Sequence, residues 1–113
     1  MKECLFCKIV KGEIPSKKVY EDDSILAFYD INPAAPVHVL VIPKEHIESL
    51  AKLKEEQLAL VGYLHGKIRK IAQDLNLEHG YRVVNNCGSD GGQEVGHLHF
   101  HLLGGRKMLW PPG

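Results

Sequence analysis

The segment His97-Leu98-His99-Phe100-His101-Leu102-Leu103 places an imidazole at every second position. In an extended strand successive side chains face opposite ways, so the histidines line one face and Leu98, Phe100 and Leu102 the other. Neighbouring rings on that face stand ~6.6–7 Å apart along the strand. Such a row can hold a phosphate between two rings or lend a subset to a metal, and imidazole also attacks phosphorus and carries protons. A solvated polar face is the plainer reading, but it gives no reason for histidine three times over. All three rings cannot share one tetrahedral ion, because the outer pair is too far apart. The loop upstream, Gly88-Ser89-Asp90-Gly91-Gly92-Gln93, carries glycines that let backbone N–H groups approach an anion. Cys4-x-x-Cys7 is either a redox pair or half of a zinc site. His38 and His46 are placed to converge on the same face, and Cys87 reads as a small buried hydrophobe.

The elements that must position these groups are legible from period and punctuation. Residues 4–11 suit a short helix that Gly12 stops. Residues 17–21 and 25–30 read as two strands joined by the turn Glu21-Asp22-Asp23-Ser24. Asn32-Pro33-Ala34-Ala35-Pro36 is a breaker, after which 37–42 reads as a mostly buried strand. From 55 to 77 the period becomes helical, with Leu58, Val61, Leu64, Ile68, Ile71 and Leu75 forming one apolar stripe. Residues 81–86 and 97–103 then read as strands. The pattern predicts an α+β fold: a five-stranded antiparallel sheet, one long helix over one face, and a short N-terminal helix. The other face needs a second cover or mostly polar side chains.

The chain has 113 residues, 44% hydrophobic and 25% charged, which suits one globular domain spanning 1–113 and excludes disorder or a coiled coil. Fourteen basic and fourteen acidic residues cancel, so no bulk attraction to nucleic acid or an anionic membrane is expected. The opening residues lack a signal-peptide core and no apolar run approaches a membrane span, so a cytoplasmic location is expected. Three cysteines argue against a disulfide framework.

Taken together, these motifs resemble the histidine triad family, in particular its Hint-like branch, whose pattern His-φ-His-φ-His-φ-φ is met by 97–103. The resemblance extends over most of the chain: Ile14-Pro15, Asp30-Ile31-Asn32-Pro33, His38, Val41-Ile42-Pro43-Lys44, His46, Asn86, the Gly88–Gln93 loop, and the end Gly104-Gly105-Arg106 and Trp110-Pro111-Pro112-Gly113. It implies hydrolysis of purine nucleoside phosphoramidates to a nucleoside monophosphate and an amine. His99 would attack the α-phosphorus and form a nucleotidyl-imidazole, while His101 would hold the non-bridging oxygens. Asp30 would bind the ribose hydroxyls, Ile31 would line the nucleoside pocket, and Asn86 with the backbone at Gly92 and Gln93 would cradle the phosphate. At Glu94, among the nucleotide-contacting positions, the family usually has a serine that helps protonate the leaving amine; a carboxylate there bears on leaving-group preference. The resemblance also implies a structural zinc on Cys4, Cys7, His46 and His97, which catalysis does not need. It further implies a homodimer pairing through the long helix and an edge strand, with the Trp110 tail near the partner's site. A non-catalytic nucleotide-binding protein of the same fold is the alternative.

Overall fold

The computed structural model describes residues 4–113, so the first three residues of the expected domain lie outside the described ones. Strands β1 (Lys18–Glu21), β2 (Ile25–Tyr29), β3 (Val37–Pro43), β4 (Tyr81–Val84) and β5 (Phe100–Gly104) form one antiparallel sheet in the order β1-β2-β3-β5-β4. A short helix, α1 (Leu5–Val10), precedes them, and the long α2 (Leu58–Asp74) connects β3 to β4. This is the α+β architecture the pattern predicts. No helix among the described residues is long and apolar enough to cross a membrane.

The strand expected over 97–103 begins only at Phe100. Val41 pairs with Phe100, so the ladder would next reach Ile42 and Pro43. There the His97 ring takes over: its Nε2–H donates to the Pro43 carbonyl at 2.8 Å, while the Leu98 N–H donates to Ile47 at 2.6 Å. At the other side of β5, β4 stops at Val84 rather than at residue 86. The Asn85 side-chain amide donates to the His99 carbonyl at 2.9 Å, replacing the next backbone rung. His97 and His99 therefore sit in an extended segment bound by side chains rather than in the ladder. The inside–outside alternation survives, because Leu98, Phe100 and Leu102 all pack under α2.

The helical period over 55–77 resolves into a 3-10 turn, Glu55–Gln57, followed by α2. A further 3-10 turn, Leu50–Lys52, has no counterpart in the sequence reading. Leu64, Ile68 and Ile71 of the apolar stripe, with Ala72, are buried on Ile25, Ala27, Val39 and Val41. Burying each such aliphatic side chain contributes about 1.5–3 kcal/mol. Leu58 lies outside this contact and is 51% exposed. Asn76, at φ 59°, turns the chain out of the helix, and the Leu77 N–H caps the Ala72 carbonyl at 2.9 Å.

On the opposite face Leu26, Phe28, Leu40 and Ile42 are covered by Phe6 and Ile9 of α1. This is the second cover that the apolar sheet required. Six residues cannot hold a helix in water alone, so α1 depends on its docking. The β1–β2 turn is tied across to α2 by Asp22. Its carboxylate accepts hydrogen bonds from the Ser24 and Ile25 N–H groups at 2.8 and 2.9 Å, the Tyr20 hydroxyl at 2.8 Å and the Tyr63 hydroxyl at 2.5 Å.

Candidate active site and metal centre

The α1 side of the sheet carries two groups of imidazoles, His46 with His97 and His99 with His101 and His38. Ring centroids lie 5.0 Å apart for His46–His97, 5.1 Å for His99–His101 and 5.1 Å for His38–His101. His97, His99 and His38 are buried, and His101 is partly so. Backbone partners determine which nitrogen of each ring carries hydrogen. The His97 carbonyl can only accept, so the His99 Nδ1 that lies 2.7 Å from it must donate. A neutral His99 ring therefore keeps its lone pair on Nε2.

The same logic runs through the second pair. The Ala34 N–H donates to His38 Nδ1 at 3.0 Å, which places the His38 proton on Nε2. That Nε2–H donates to His101 Nδ1 at 2.9 Å, so His101 presents an Nε2–H. A nitrogen lone pair on His99 thus stands beside an N–H donor on His101. Burial holds His101 at about 4, below its ordinary value, and the neighbouring His99 and His38 rings act in the same direction. Burial also lowers His38, outweighing the opposing Asp30 carboxylate. The 3.5 Å contact of His38 Nε2 with Asp30 Oδ2 is therefore between a neutral ring and a carboxylate at neutral pH. Asp30 Oδ1 is oriented by the Asn32 N–H at 2.8 Å.

Asp30 and His38 open onto a cavity of about 420 Å3 walled by Tyr29, Ile31, Pro33 and Pro36. Ile31 is 91% exposed, an apolar side chain left for something to cover. The glycine loop is built tightly. A Cβ on Gly91 would lie 2.3 Å from the Cys87 carbonyl oxygen, so only glycine fits there. The Gly92 and Gln93 N–H groups, expected to face an anion, are spent on the Ser89 and Gly88 carbonyls at 3.1 and 3.0 Å. They shape the loop because a tight turn must satisfy its own donors first. The Asn86 amide holds the Gly91 carbonyl at 2.7 Å. The Gln93 side chain accepts from the Gly88 N–H at 2.9 Å and donates to the Glu48 and Val95 carbonyls at 2.8 and 3.0 Å. Glu94 is exposed, and its carboxylate has no hydrogen bond or ion pair among the described residues.

Cys4, Cys7, His46 and His97 bring four ligand atoms within 4.8 Å of one another. Cys4 Sγ lies 3.3 Å from His97 Nδ1, and Cys7 Sγ lies 3.3 Å from His46 Nδ1 and 3.6 Å from His97 Nδ1. Zinc–sulfur and zinc–nitrogen bonds at tetrahedral angles separate such atoms by ~3.5 Å, so the set fits zinc. His97 is prepared for this, since Nε2 donates to Pro43 and leaves Nδ1 free for a cation. Its pKa is about 4, lowered chiefly by burial, so the ring is neutral and able to ligate. Burial raises the Cys7 thiol, and the adjacent Cys4 adds to that shift, so a cation is what would ionise it at neutral pH. Asp30, His38 and His101 also cluster, but they do not suit a metal. With Nδ1 accepting from Ala34, His38 could ligate through Nε2 only as an imidazolate.

The structure thus separates the triad. His97 turns to the cysteines, while His99 and His101 stay together beside Asp30. The sequence places His38 on this face only as a histidine on a neighbouring strand and carries no sign of its hydrogen bond to His101.

Residues 11–108 match the HIT domain family. A 14 kDa zinc-binding protein of Zea mays is 53% identical over 111 residues, covering 96% of this chain and 87% of that protein. The crystal structure of a HIT family hydrolase from Legionella pneumophila superposes with a TM-score of 0.96 at 53% identity, covering 98% of this chain and 100% of that one. A histidine triad protein from Clostridium difficile gives 0.92 at 54% identity, over 96% and 97% of the two chains. The chain belongs to the HIT family and has the fold of its hydrolases.

Proposed function

We propose that the protein hydrolyses the P–N bond of purine nucleoside 5′-phosphoramidates through a nucleotidyl intermediate on His99. The observation that carries this reading is the His99 hydrogen bond to its neighbour's carbonyl, which leaves Nε2 unprotonated beside the His101 donor. His99 Nε2 attacks the α-phosphorus, the P–N bond breaks, and the amine leaves with a proton taken from solvent. Water then attacks the same phosphorus and gives up a proton to solvent, the P–Nε2 bond breaks, and the nucleoside monophosphate leaves His99 neutral. The His101 Nε2–H donates to a non-bridging oxygen whose charge grows at the transition state. His38 keeps that donor in place by filling the other nitrogen of His101. Asp30 binds the ribose hydroxyls, and Ile31 packs on the nucleoside at the cavity beside it. Asn86, Gly92 and Gln93 shape the phosphate loop, and Glu94 faces the leaving group from its end.

Cys4, Cys7, His46 and His97 hold a structural zinc in this reading, supported by their separations and by the zinc-binding relative. Turnover of adenosine 5′-phosphoramidate by wild type and His99→Ala tests the catalytic assignment. Loss of turnover in the variant is expected, together with a nucleotidyl adduct on His99 in wild-type protein after rapid quench and mass spectrometry. An adduct elsewhere, or activity in His99→Ala, would refute the nucleophile. Nucleotide binding without turnover by wild type would favour a non-catalytic binding protein.

A further inference from the structure

The nucleophile and the metal centre share a wall. Phe6 lies on α1 between Cys4 and Cys7 and is 4% exposed. Its ring meets the His99 ring edge-on, with centroids 5.1 Å apart and planes at 83°. It meets His97 in the same way at 5.9 Å and 74°, and it is backed by Phe28 at 5.7 Å and 74°. The His99 ring has one hydrogen bond among the described residues, from Nδ1 to the His97 carbonyl. A single bond at Nδ1 sets the tautomer but leaves the ring free to swing about the N–O line. Contacts with the Phe6 and His101 rings restrict that swing and direct Nε2. Phe6 in turn sits on a six-residue helix whose N-cap is Cys4 and whose third residue is Cys7, both of the metal cluster.

We propose that Phe6 is a positioning residue for His99, and that the Cys/His metal centre holds it there by anchoring α1. The metal then takes no part in the chemistry but governs how well the nucleophile is aimed. This rests on the reading of His99 as nucleophile. Misaiming a reacting atom by about 1 Å costs on the order of 100-fold in rate.

The test compares Phe6→Leu with Ile9→Ala. Ile9 is the other buried apolar side chain of α1 and packs in the same apolar cover, so its truncation removes packing from the helix while the metal centre keeps Phe6 in place. In zinc-loaded protein, Phe6→Leu is expected to lower kcat about 10- to 100-fold with KM within about threefold. Ile9→Ala should lower the melting temperature while keeping kcat per folded molecule. The readout independent of activity is the His99 ring resonance in histidine-labelled protein, assigned by its disappearance in His99→Ala. Phe6→Leu should shift and broaden that resonance while His65 and His79, both exposed and distant in sequence, stay fixed. Chelator-treated wild type should show the same change confined to the same region.

An effect of Phe6→Leu on KM alone, an unmoved His99 resonance, or an equal fall in kcat for Ile9→Ala would overturn the proposal. So would collapse of all histidine resonances together on metal removal, which would make the centre a global staple. Failure of the underlying reading is distinct, since His99→Ala would then remain active.

Discussion

At the residue scale, the candidate active site is a set of proton assignments imposed by the backbone. A carbonyl at His97 and an N–H at Ala34 are groups whose hydrogen-bonding sense cannot change, and through them His99, His38 and His101 each acquire one tautomer. Replacing His38 with Phe fills similar volume but frees His101 Nδ1, so His101 can turn its proton inward. A fall in kcat of up to about 100-fold with little change in KM is expected, at the low end of the roughly 100- to 1000-fold cost of deleting such a donor because His101 itself remains. Steady-state kinetics check this, and an unchanged kcat would remove His38 from the relay. His101 also makes stability depend on pH. Its folded value of about 4 lies below that of an unfolded histidine near 6.5, so the unfolded chain binds more protons between those values. The stabilisation is complete above about pH 6.5 and is lost as pH falls toward 4. His101→Gln should therefore lose less stability than wild type across that window in urea titrations.

At the element scale, side chains finish what strands begin. β5 and β4 both end where a ring or an amide takes over the next backbone partner, and this releases His97 and His99 from the ladder. The β1–β2 turn is held to α2 by Asp22. Burial acts to raise this carboxyl, but the hydrogen bonds from Tyr63, Ile25, Tyr20 and Ser24 outweigh it and lower the pKa far below the usual range. A lowered carboxyl stabilises the fold fully above its unfolded pKa near 4 and progressively less as pH falls below that. Asp22→Asn keeps the shape and loses the charge. It is expected to cost about 1–2 kcal/mol at neutral pH, given the modest worth of charged hydrogen bonds in a partly exposed site. The difference from wild type should shrink toward pH 2, and a difference constant with pH would contradict the assignment.

At the scale of the whole molecule, two layers of different character enclose the sheet. α2 covers one face with aliphatic side chains, whereas the six-residue α1 covers the other beside the metal cluster. Protein purified without added metal should carry about one zinc per chain by elemental analysis, as a closed four-ligand centre requires. Cys4→Ser should lose the zinc and melt several degrees lower. Tyr81 and Val83 on the open edge of β4 are 43% and 36% exposed, and Leu109 and Trp110 are 74% and 80% exposed. The tail is not loose: Arg82 on β4 donates to the Leu109 carbonyl at 2.9 Å and lies over the Trp110 ring. This edge suits the homodimer implied by the family resemblance, because a second copy would cover both the apolar side chains and the unpaired strand. Light scattering at micromolar concentration is expected to report a dimer. Deleting residues 109–113 should alter turnover or leaving-group preference while the dimer persists, and a monomeric wild type would refute the pairing.

Period and residue type were enough to determine that five strands and two helices exist and which faces of 97–103 are apolar. Those are local properties, since alternation and the 3.6-residue repeat are written into neighbouring positions. Strand ends were not local. β5 yields its first rungs to Pro43 and Ile47, partners more than fifty residues away in the chain, and no window around His97 contains them. The loop glycines announced a tight turn, yet whether the Gly92 and Gln93 N–H groups face outward or inward depended on closing that turn. The division of one histidine row, with His97 turned to the cysteines and His99 beside His101, likewise required tertiary structure. Only folding brings Cys4 and Cys7 to His97, Ala34 to His38, and Phe6 to His99, and hydrogen-bond sense is decided by such meetings rather than by residue type.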